Sequence, residues 1–387
     1  MSRIPLFKVA MSPQATADVG EVLSSGFIGQ GPRNEAFEDA LAKLLGTPNV
    51  VTVSSATAGL HLALHMATTA AADGTRFDLA TRAPSARMGE ILTTPLTCTA
   101  TNWPIVTQQL DFRWIDTDPS SLNVSLQDLA RRIGPRTRAI VLVHWAGYPV
   151  DLQALSHLLD QAEADHGVRP IVIEDCAHAW GTMFDGWRLG LHGNVAVYSF
   201  QAIKHLTCGD GGAVVFPTAE SAERARRLRW YGMDRNTPGL LRCRQDVPEA
   251  GFKFHMNDIA SAIGLANLDL AERNVKIHRD NAAYFDRALR GIDGVHLLER
   301  AEGHESAAWI YSLRVERRDD FIARLAAADV EASPVHTRND VHSCVSAHRE
   351  PLPGVDEADS TMVSIPVGWW VDDEARERVA QTIRQGW

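Results

Sequence analysis

The sequence predicts an α/β fold in two parts: a large domain over residues 1–248, with a mostly parallel mixed sheet flanked by helices, and a smaller C-terminal α+β domain over residues 249–387. Three observations predict it. Between about residue 50 and residue 216, short β-branched apolar runs lack the polar/apolar alternation of a half-exposed strand, as in parallel sheets covered on both faces. Helical patterns separate those runs. From about residue 250 the texture shifts to long helices with isolated strands, the signature of a second, α+β unit.

In chain order, Phe37, Leu41, Leu44 and Leu45 recur at helical spacing, with Asn34 available as an N-cap. "VVTV" (50–53) leads into the helical "TAGLHLALHMA", and "EILTT" (90–94) into "TATNWPIVTQQ". The intervening "AAADGTRFDLATRAPSARMG" has no clear period and reads as an extended loop. "RAIVLVH" (138–144) precedes "DLQALSHLLDQAEA"; "PIVIED" (170–175) and "VAVYSF" (195–200) follow, and "AVVF" closes the set. "NDIASAIGLANLDLAERNVKIHRDNAAYFDRAL" reads as one or two long helices. The strand "WIYSLRVE", the helix "DDFIARLAAADV" and a tail ending in "VSIPVGWWVDDEARERVAQTIRQGW" complete the chain.

Composition narrows the function. With 387 residues, 45% apolar and 22% charged, the chain resembles an ordinary globular protein able to bury a large core. A net charge of −10 and a pI near 5.8 argue against nucleic acid or an anionic membrane as the main partner. The basic run "RARRLR" (224–229) reads as a solvated helix face. Cys98, Cys176, Cys208, Cys243 and Cys344 are dispersed, without metal-ligand spacing, so no metal site is expected and reduced thiols in the cytoplasm are. The opening "MSRIPLFKVAMSPQ" has no apolar core of signal-peptide length, and no segment reaches the length of a membrane span.

The stretch "VYSFQAIKHLTCGDGGAVVF" (197–216) sets Lys204 between a strand and a glycine-rich turn. A surface lysine needs no such scaffold. Ligands of open α/β sheets bind beyond the carboxyl ends of the strands, where Asp175 and Ser199 fall. "SSATAGLHLAL" places free backbone N–H groups and the Thr57 hydroxyl at a helix start, a natural phosphate seat. Each residue type has an ordinary role too: surface charge, turn residue, N-cap. Their order, phosphate turn, then strand-end Asp, then Ser and Lys, matches the needs of pyridoxal 5'-phosphate. That cofactor takes a lysine on its aldehyde and an acid at its pyridinium nitrogen.

These motifs resemble the DegT/DnrJ/EryC1/StrS family of sugar aminotransferases, which have the fold-type-I pyridoxal-phosphate transferase architecture. "SFQAIKHLTCGDGGAVV" resembles the family's lysine motif, "SSATAGLHLAL" its phosphate turn, "IVIEDCAHAWGT" its aspartate strand, "FIGQGPRNEAFEDALAKLLG" its N-terminal segment, "GFKFHMNDIASAIGLANL" its interface helix and "IPVGWW" its C-terminal signature. The resemblance implies that Lys204 forms the internal aldimine and shuttles protons, and that Asp175 pairs with the pyridinium. It puts His178 beside the ring, an alternative being a core histidine, and Ala56, Thr57 and Ser199 on the phosphate. It implies that Gly29, Gln30 and Gly31 lie near the sugar, an alternative being a plain turn, with His336 and Arg338 as further substrate contacts. It also implies a homodimer with shared active sites.

Two positions depart from the family pattern. Where an aromatic usually stacks on the cofactor ring this chain has Cys98, so either a thiol packs there or Trp103 or Trp180 substitutes. Where many members read G-Y-N-Y-R, with the Asn reaching the partner's phosphate, it has Lys253, and His255 replaces the Arg; a lysine can bind phosphate as a point charge. The function expected is transfer of an amino group from glutamate (or glutamine) to a keto group of a nucleotide-activated deoxysugar. The rivals are a cyclitol ketone as acceptor, a pyridoxal-phosphate-dependent sugar dehydratase, and a non-catalytic sugar-nucleotide sensor.

Overall fold

The computed structural model describes every residue except 1–2, 74–75, 83–88, 236–243 and 301–302, which include Cys243. It opens with helices α1 (Gln14–Ser25) and α2 (Pro32–Leu45), after which strand β1 (Val50–Val53) runs into α3 (Ala56–Thr69). A hairpin of β2 (Ala70–Asp73) and β3 (Arg76–Arg82) precedes β4 (Glu90–Thr93), α4 (Thr99–Thr107), β5 (Asp111–Trp114), α5 (Leu126–Arg132) and β6 (Thr137–Val143). Next come α6 (Leu152–His166), β7 (Ile171–Asp175), the short pair β8 (Met183–Phe184) and β9 (Trp187–Arg188), β10 (Val195–Ser199), β11 (Gly212–Val215) and α7 (Ala219–Leu228). The last part holds α8 (Asp258–Ala288), β12 (Val295–Leu297), β13 (Tyr311–Val315), α9 (Arg318–Ala326), α10 (Pro353–Thr361), β14 (Met362–Ile365) and α11 (Asp373–Arg384).

Seven strands form one sheet in the order β1-β11-β10-β7-β6-β4-β5. The pairs β10–β7, β7–β6, β6–β4 and β4–β5 are parallel, while β11 runs antiparallel to β10 and β1. Strands β10 and β11 are buried along their whole length, and β6 at every position but Arg138, because separate apolar clusters cover the two faces. This explains the absence of alternation in the sequence. A second sheet, β12-β13-β14, has its own core with Phe285, Phe321, Val379 and Ile383. Among the described residues no helix is long and apolar enough to cross a membrane.

The structure corrects three expectations. The segment read as a loop forms the β2–β3 hairpin: Phe77 and Leu79 alternate with polar residues on one strand, a pattern hidden by its charged flanks. Phe77 lies on the Arg138 guanidinium, 3.5 Å from ring centroid to Cζ, and Arg224 donates to the Leu79 and Thr81 carbonyls (2.9 and 3.0 Å). "RARRLR" is therefore not simply a solvated face. Arg224 and Arg229 are buried; Arg224 also binds Glu249 (2.9 and 2.7 Å), and Arg229 binds Glu38 and the Thr52 carbonyl. Finally, Asn34 is not the cap of α2, which starts at Pro32. The Asp258 carboxylate, distant in sequence, accepts from the N–H groups of Gly31, Arg33 and Asn34, leaving the Asn34 amide to bind Thr52 and Ser261. The long helical pattern is one helix, α8.

Candidate active site

The carboxyl ends of the parallel strands carry the residues that chemistry requires. Asp175 ends β7 and Ser199 ends β10. After Ser199 the chain turns tightly: the Lys204 N–H donates to the Gln201 carbonyl (2.9 Å) and the Cys208 N–H to that of Phe200 (2.8 Å). Gly209, at φ +81°, supplies the left-handed step that returns the chain into β11. Two strands packed against one turn thus fix the direction of the Lys204 side chain.

Burial disfavours charge on the Lys204 amine and pushes it down to about 7, with Asp175 and Cys98 pulling the other way. Asp175 is 3% exposed. Its carboxylate accepts from the Thr101 hydroxyl (2.7 Å) and the Ala177 N–H (3.0 Å), and Thr101 is in turn 2.9 Å from the Thr97 hydroxyl. Burial raises the Asp175 pKa, while these bonds, Lys204 and His144 lower it. Such a carboxylate suits a cationic partner.

Helix α3 supplies the anion seat. Ser55 caps it by accepting from Ala58, and the N–H groups of Ala56 and Thr57 have no hydrogen-bond partner among the described residues. Gly212 pairs with Ser199 across the β10–β11 ladder. A Cβ on Gly212 would lie 2.8 Å from the Ala56 nitrogen and 2.6 Å from the Tyr198 carbonyl oxygen, so only glycine lets the helix start approach Ser199. Two free N–H groups, a hydroxyl and a helix dipole together fit a phosphate. With the lysine and the carboxylate, the donor set fits pyridoxal phosphate.

A wall of rings faces the amine. Lys204 Nζ lies 3.4 Å from the Trp309 ring centroid. His178 stacks on Trp309 (4.1 Å, 21°) and lies parallel to His336 (5.5 Å, 6°), while Trp145 meets both imidazoles edge-on. The Ala146 N–H donates to His178 Nδ1 (3.3 Å), so neutral His178 carries its proton on Nε2. Burial and then Lys204 hold His178 far below the usual histidine pKa, and the same causes bring His336 to about 4. Three non-glycine residues with positive φ hold this wall: Ala146 (56°), Ala308 (47°) and Val335 (71°), beside Trp145, Trp309 and His336. For valine this conformation is strained, and strain of this kind gathers at functional sites.

The remaining sequence candidates have other surroundings, Cys98 excepted. Cys98 begins α4 as its N-cap, near Lys204, whereas Trp180 is committed to the core against Tyr198 and Phe200 and Trp103 meets His342 edge-on. Gly29 and Gln30 precede α2: the Gly29 carbonyl accepts from Asp258, and Arg235 donates to Gln30. Arg338 is held by Asp340 (2.7 and 2.6 Å) and by Asp356. Lys253 is exposed; its neighbour Phe254 accepts from Ser54 (2.7 Å), so its segment runs beside the anion seat. Among the described residues, a buried trio of His144, Glu174 and Cys176 brings ligand-type atoms within 4.8 Å of one another. Hydrogen bonds account for two of them: Val150 N–H donates to His144 Nδ1, His144 Nε2 donates to Glu174 (2.8 Å), and Asn194 donates to Glu174.

Sequence reading missed Thr101, Trp145 and Trp309. Thr101 had one usable signal, a hydroxyl in the first turn of a helix following a strand end. Trp309 lay within a segment read only as a strand.

Comparison with known proteins bears on this arrangement. The sequence pattern of the DegT/DnrJ/EryC1/StrS aminotransferase family matches residues 10–384. The structure is similar to AtS13 from Actinomadura melliaura, at 49% identity, full coverage of both chains and TM-score 0.93. It is similar to the sugar aminotransferase CalS13 from Micromonospora echinospora, at 48% identity over 99% of this chain and 100% of that one, TM-score 0.92. It also resembles the aminotransferase TlmJ from Streptoalloteichus hindustanus, at 30% identity over 100% and 99% of the two chains, TM-score 0.85.

Proposed function

The chain belongs to the DegT/DnrJ/EryC1/StrS aminotransferase family and is a pyridoxal-phosphate-dependent sugar aminotransferase; from that premise we propose that it moves an amino group from glutamate to a keto group of a nucleotide-activated deoxysugar. One observation carries the reading: an amine brought down to about 7 shares its site with a buried carboxylate that acts on it, while a helix N-terminus with two free N–H groups approaches the neighbouring strand end at Ser199. The description of CalS13 as a sugar aminotransferase supports a sugar as the acceptor.

When bound, pyridoxal phosphate supplies an aldehyde that carries the amino group and a ring that takes up electrons. Ala56, Thr57 and Ser199 hold its phosphate, with the α3 dipole adding attraction. Asp175, oriented by Thr101 and Ala177, would be the acidic partner of the ring nitrogen. Lys204 would hold the aldehyde end and would carry a proton on Nζ as general base and acid. An amine with a pKa near 7 serves both roles near neutral pH. His178 donates from Nε2 to the phenolic oxygen. His336 and Arg338 meet the acceptor, as do Gly29 and Gln30, and Cys98 packs on the ring.

The same reading makes the protein a cytoplasmic homodimer with shared active sites, in which Lys253 serves the partner's phosphate. Exposed Leu23, Phe27 and Ile28 beside α1 support such an interface. It also assigns the cofactor to a large domain ending near residue 248 and the substrate contacts around 336 to a small one. Donor and acceptor bind in turn, giving ping-pong kinetics.

The test is transfer of label from 15N-glutamate to a panel of nucleotide-linked keto sugars and keto cyclitols, read by mass spectrometry. Label should appear in a nucleotide-linked amino sugar. Transfer only to a cyclitol would overturn the acceptor. No conversion of glutamate to 2-oxoglutarate with any acceptor would favour a sensor.

A further inference from the structure

We infer that Trp309 is a positioning residue that receives the Lys204 ammonium on its ring face whenever that amine is not joined to the cofactor. The inference rests on the reading of Lys204 given above and concerns a residue outside that reading.

Geometry carries it. Nζ lies 3.4 Å from the Trp309 ring centroid, well within cation–π range. The indole is not free to leave: its Nε1–H donates to the carbonyl of Ile203 (2.9 Å), the residue directly before Lys204. Phe7 and His178 stack on it (5.1 Å, 27°; 4.1 Å, 21°). Its main chain is pinned as well. The Trp309 N–H donates to the Ala146 carbonyl (3.0 Å). Next to it, the Ala308 carbonyl accepts from His278 (2.9 Å) and the Ala308 N–H donates to Ser306 (2.9 Å). The strained φ of Ala308 is what turns the indole toward the amine. Platform and lysine loop are thus joined by a hydrogen bond.

The charges around Nζ explain why a ring suits this place. Asp175, Cys98, His178, His205 and His336 face or influence the amine. Asp175 is engaged by Thr101 and Ala177 and committed to the cofactor ring, and the three imidazoles stay neutral because burial and Lys204 oppose their charging. When Lys204 takes up a proton, the ammonium therefore has no uncommitted carboxylate among these groups. A second carboxylate there would return the amine toward an ordinary lysine pKa and end its usefulness as a base. A ring face stabilises the ammonium more weakly, by about one pH unit, and releases it readily.

The experiment replaces Trp309 by a series of tryptophans carrying one to three ring fluorines, which keep shape and N–H but weaken the ring face, alongside Trp309→Leu and Trp309→Phe. In enzyme loaded with pyridoxamine phosphate, the Lys204 amine is titrated by competitive acetylation with acetic anhydride, read by peptide mass. The midpoint should fall stepwise with fluorine number, by about one unit for three fluorines and for leucine, and less for phenylalanine. Borohydride reduction of the pyridoxal-phosphate-loaded enzyme locates the cofactor lysine separately. Trapping on Lys204 with a midpoint that ignores fluorination would overturn the role of Trp309 alone. Trapping on another lysine would overturn the reading of Lys204 and this inference with it.

Discussion

Replacing Lys204 by methionine should stabilise the cofactor-free protein near neutral pH, by an amount that shrinks as the pH rises. Burial takes the amine from 10.5 to about 7, which corresponds to roughly 5 kcal/mol at about 1.4 kcal/mol per unit. The sign follows from proton counting. Between those two values the unfolded chain holds the proton and the folded protein does not, so stability rises with pH across this window. Below it, the folded protein carries the full cost of enclosing an ammonium. Methionine keeps most of the stem and removes the charge. Asp175 keeps its bonds to Thr101 and Ala177. Urea unfolding of both proteins at pH 7, 8 and 9 reads the difference, in which titrations common to both cancel. The variant's advantage should decline by about 1.4 kcal/mol per pH unit. An advantage that stays constant over this range would refute the claim that the pocket depresses Lys204.

Four further outcomes are expected. Asp175→Asn keeps the shape and loses the charge; cofactor should remain bound while kcat falls by about 10- to 150-fold, the worth of a charged hydrogen bond, and unaltered kcat would remove Asp175 from its role. Arg224→Met strips Glu249 and two hairpin carbonyls of their donor and should cost about 3–5 kcal/mol, with hydrogen exchange accelerating first in β3. Glu249 is held down to about 2 by its bonds to His65 and Arg224, so its contribution is present above 4.5 and is lost as pH falls toward 2; acid titration of the wild type against Arg224→Met checks this. Phe27→Asp places a charge on the exposed apolar patch (Phe27 is 69% exposed) and should shift sedimentation from dimer to monomer; a persistent dimer would locate the interface elsewhere.

The sequence exposed what is local and periodic. Fully apolar runs announced buried parallel strands, and their ends pointed to Asp175 and Ser199. Lys204 stood out because a glycine-rich turn followed it. What stayed hidden depends on distant partners. Asn34 looked like a cap because Asp258, which does the capping, lies more than two hundred residues away. Arg224 and Arg229 looked solvated because their acceptors, the hairpin carbonyls and Glu249 for the first and Glu38 and the Thr52 carbonyl for the second, are linked to them by no local pattern. Trp309 and His336 reach Lys204 only through tertiary packing, and Thr101 becomes meaningful only once the start of α4 meets the end of β7.

The left-handed bends at Ala146, Ala308 and Val335 have a consequence for how this pocket can change. The main chain aims each neighbouring ring, and the rings stacked on it hold that bearing. The wall behaves as a frame with exchangeable panels: altering the panel at 145 or 336 re-tailors what the cavity accepts without disturbing the hinge that carries it. On the proposed function, selectivity would then be adjustable one side chain at a time, with the amine and its counter-charge left where they are.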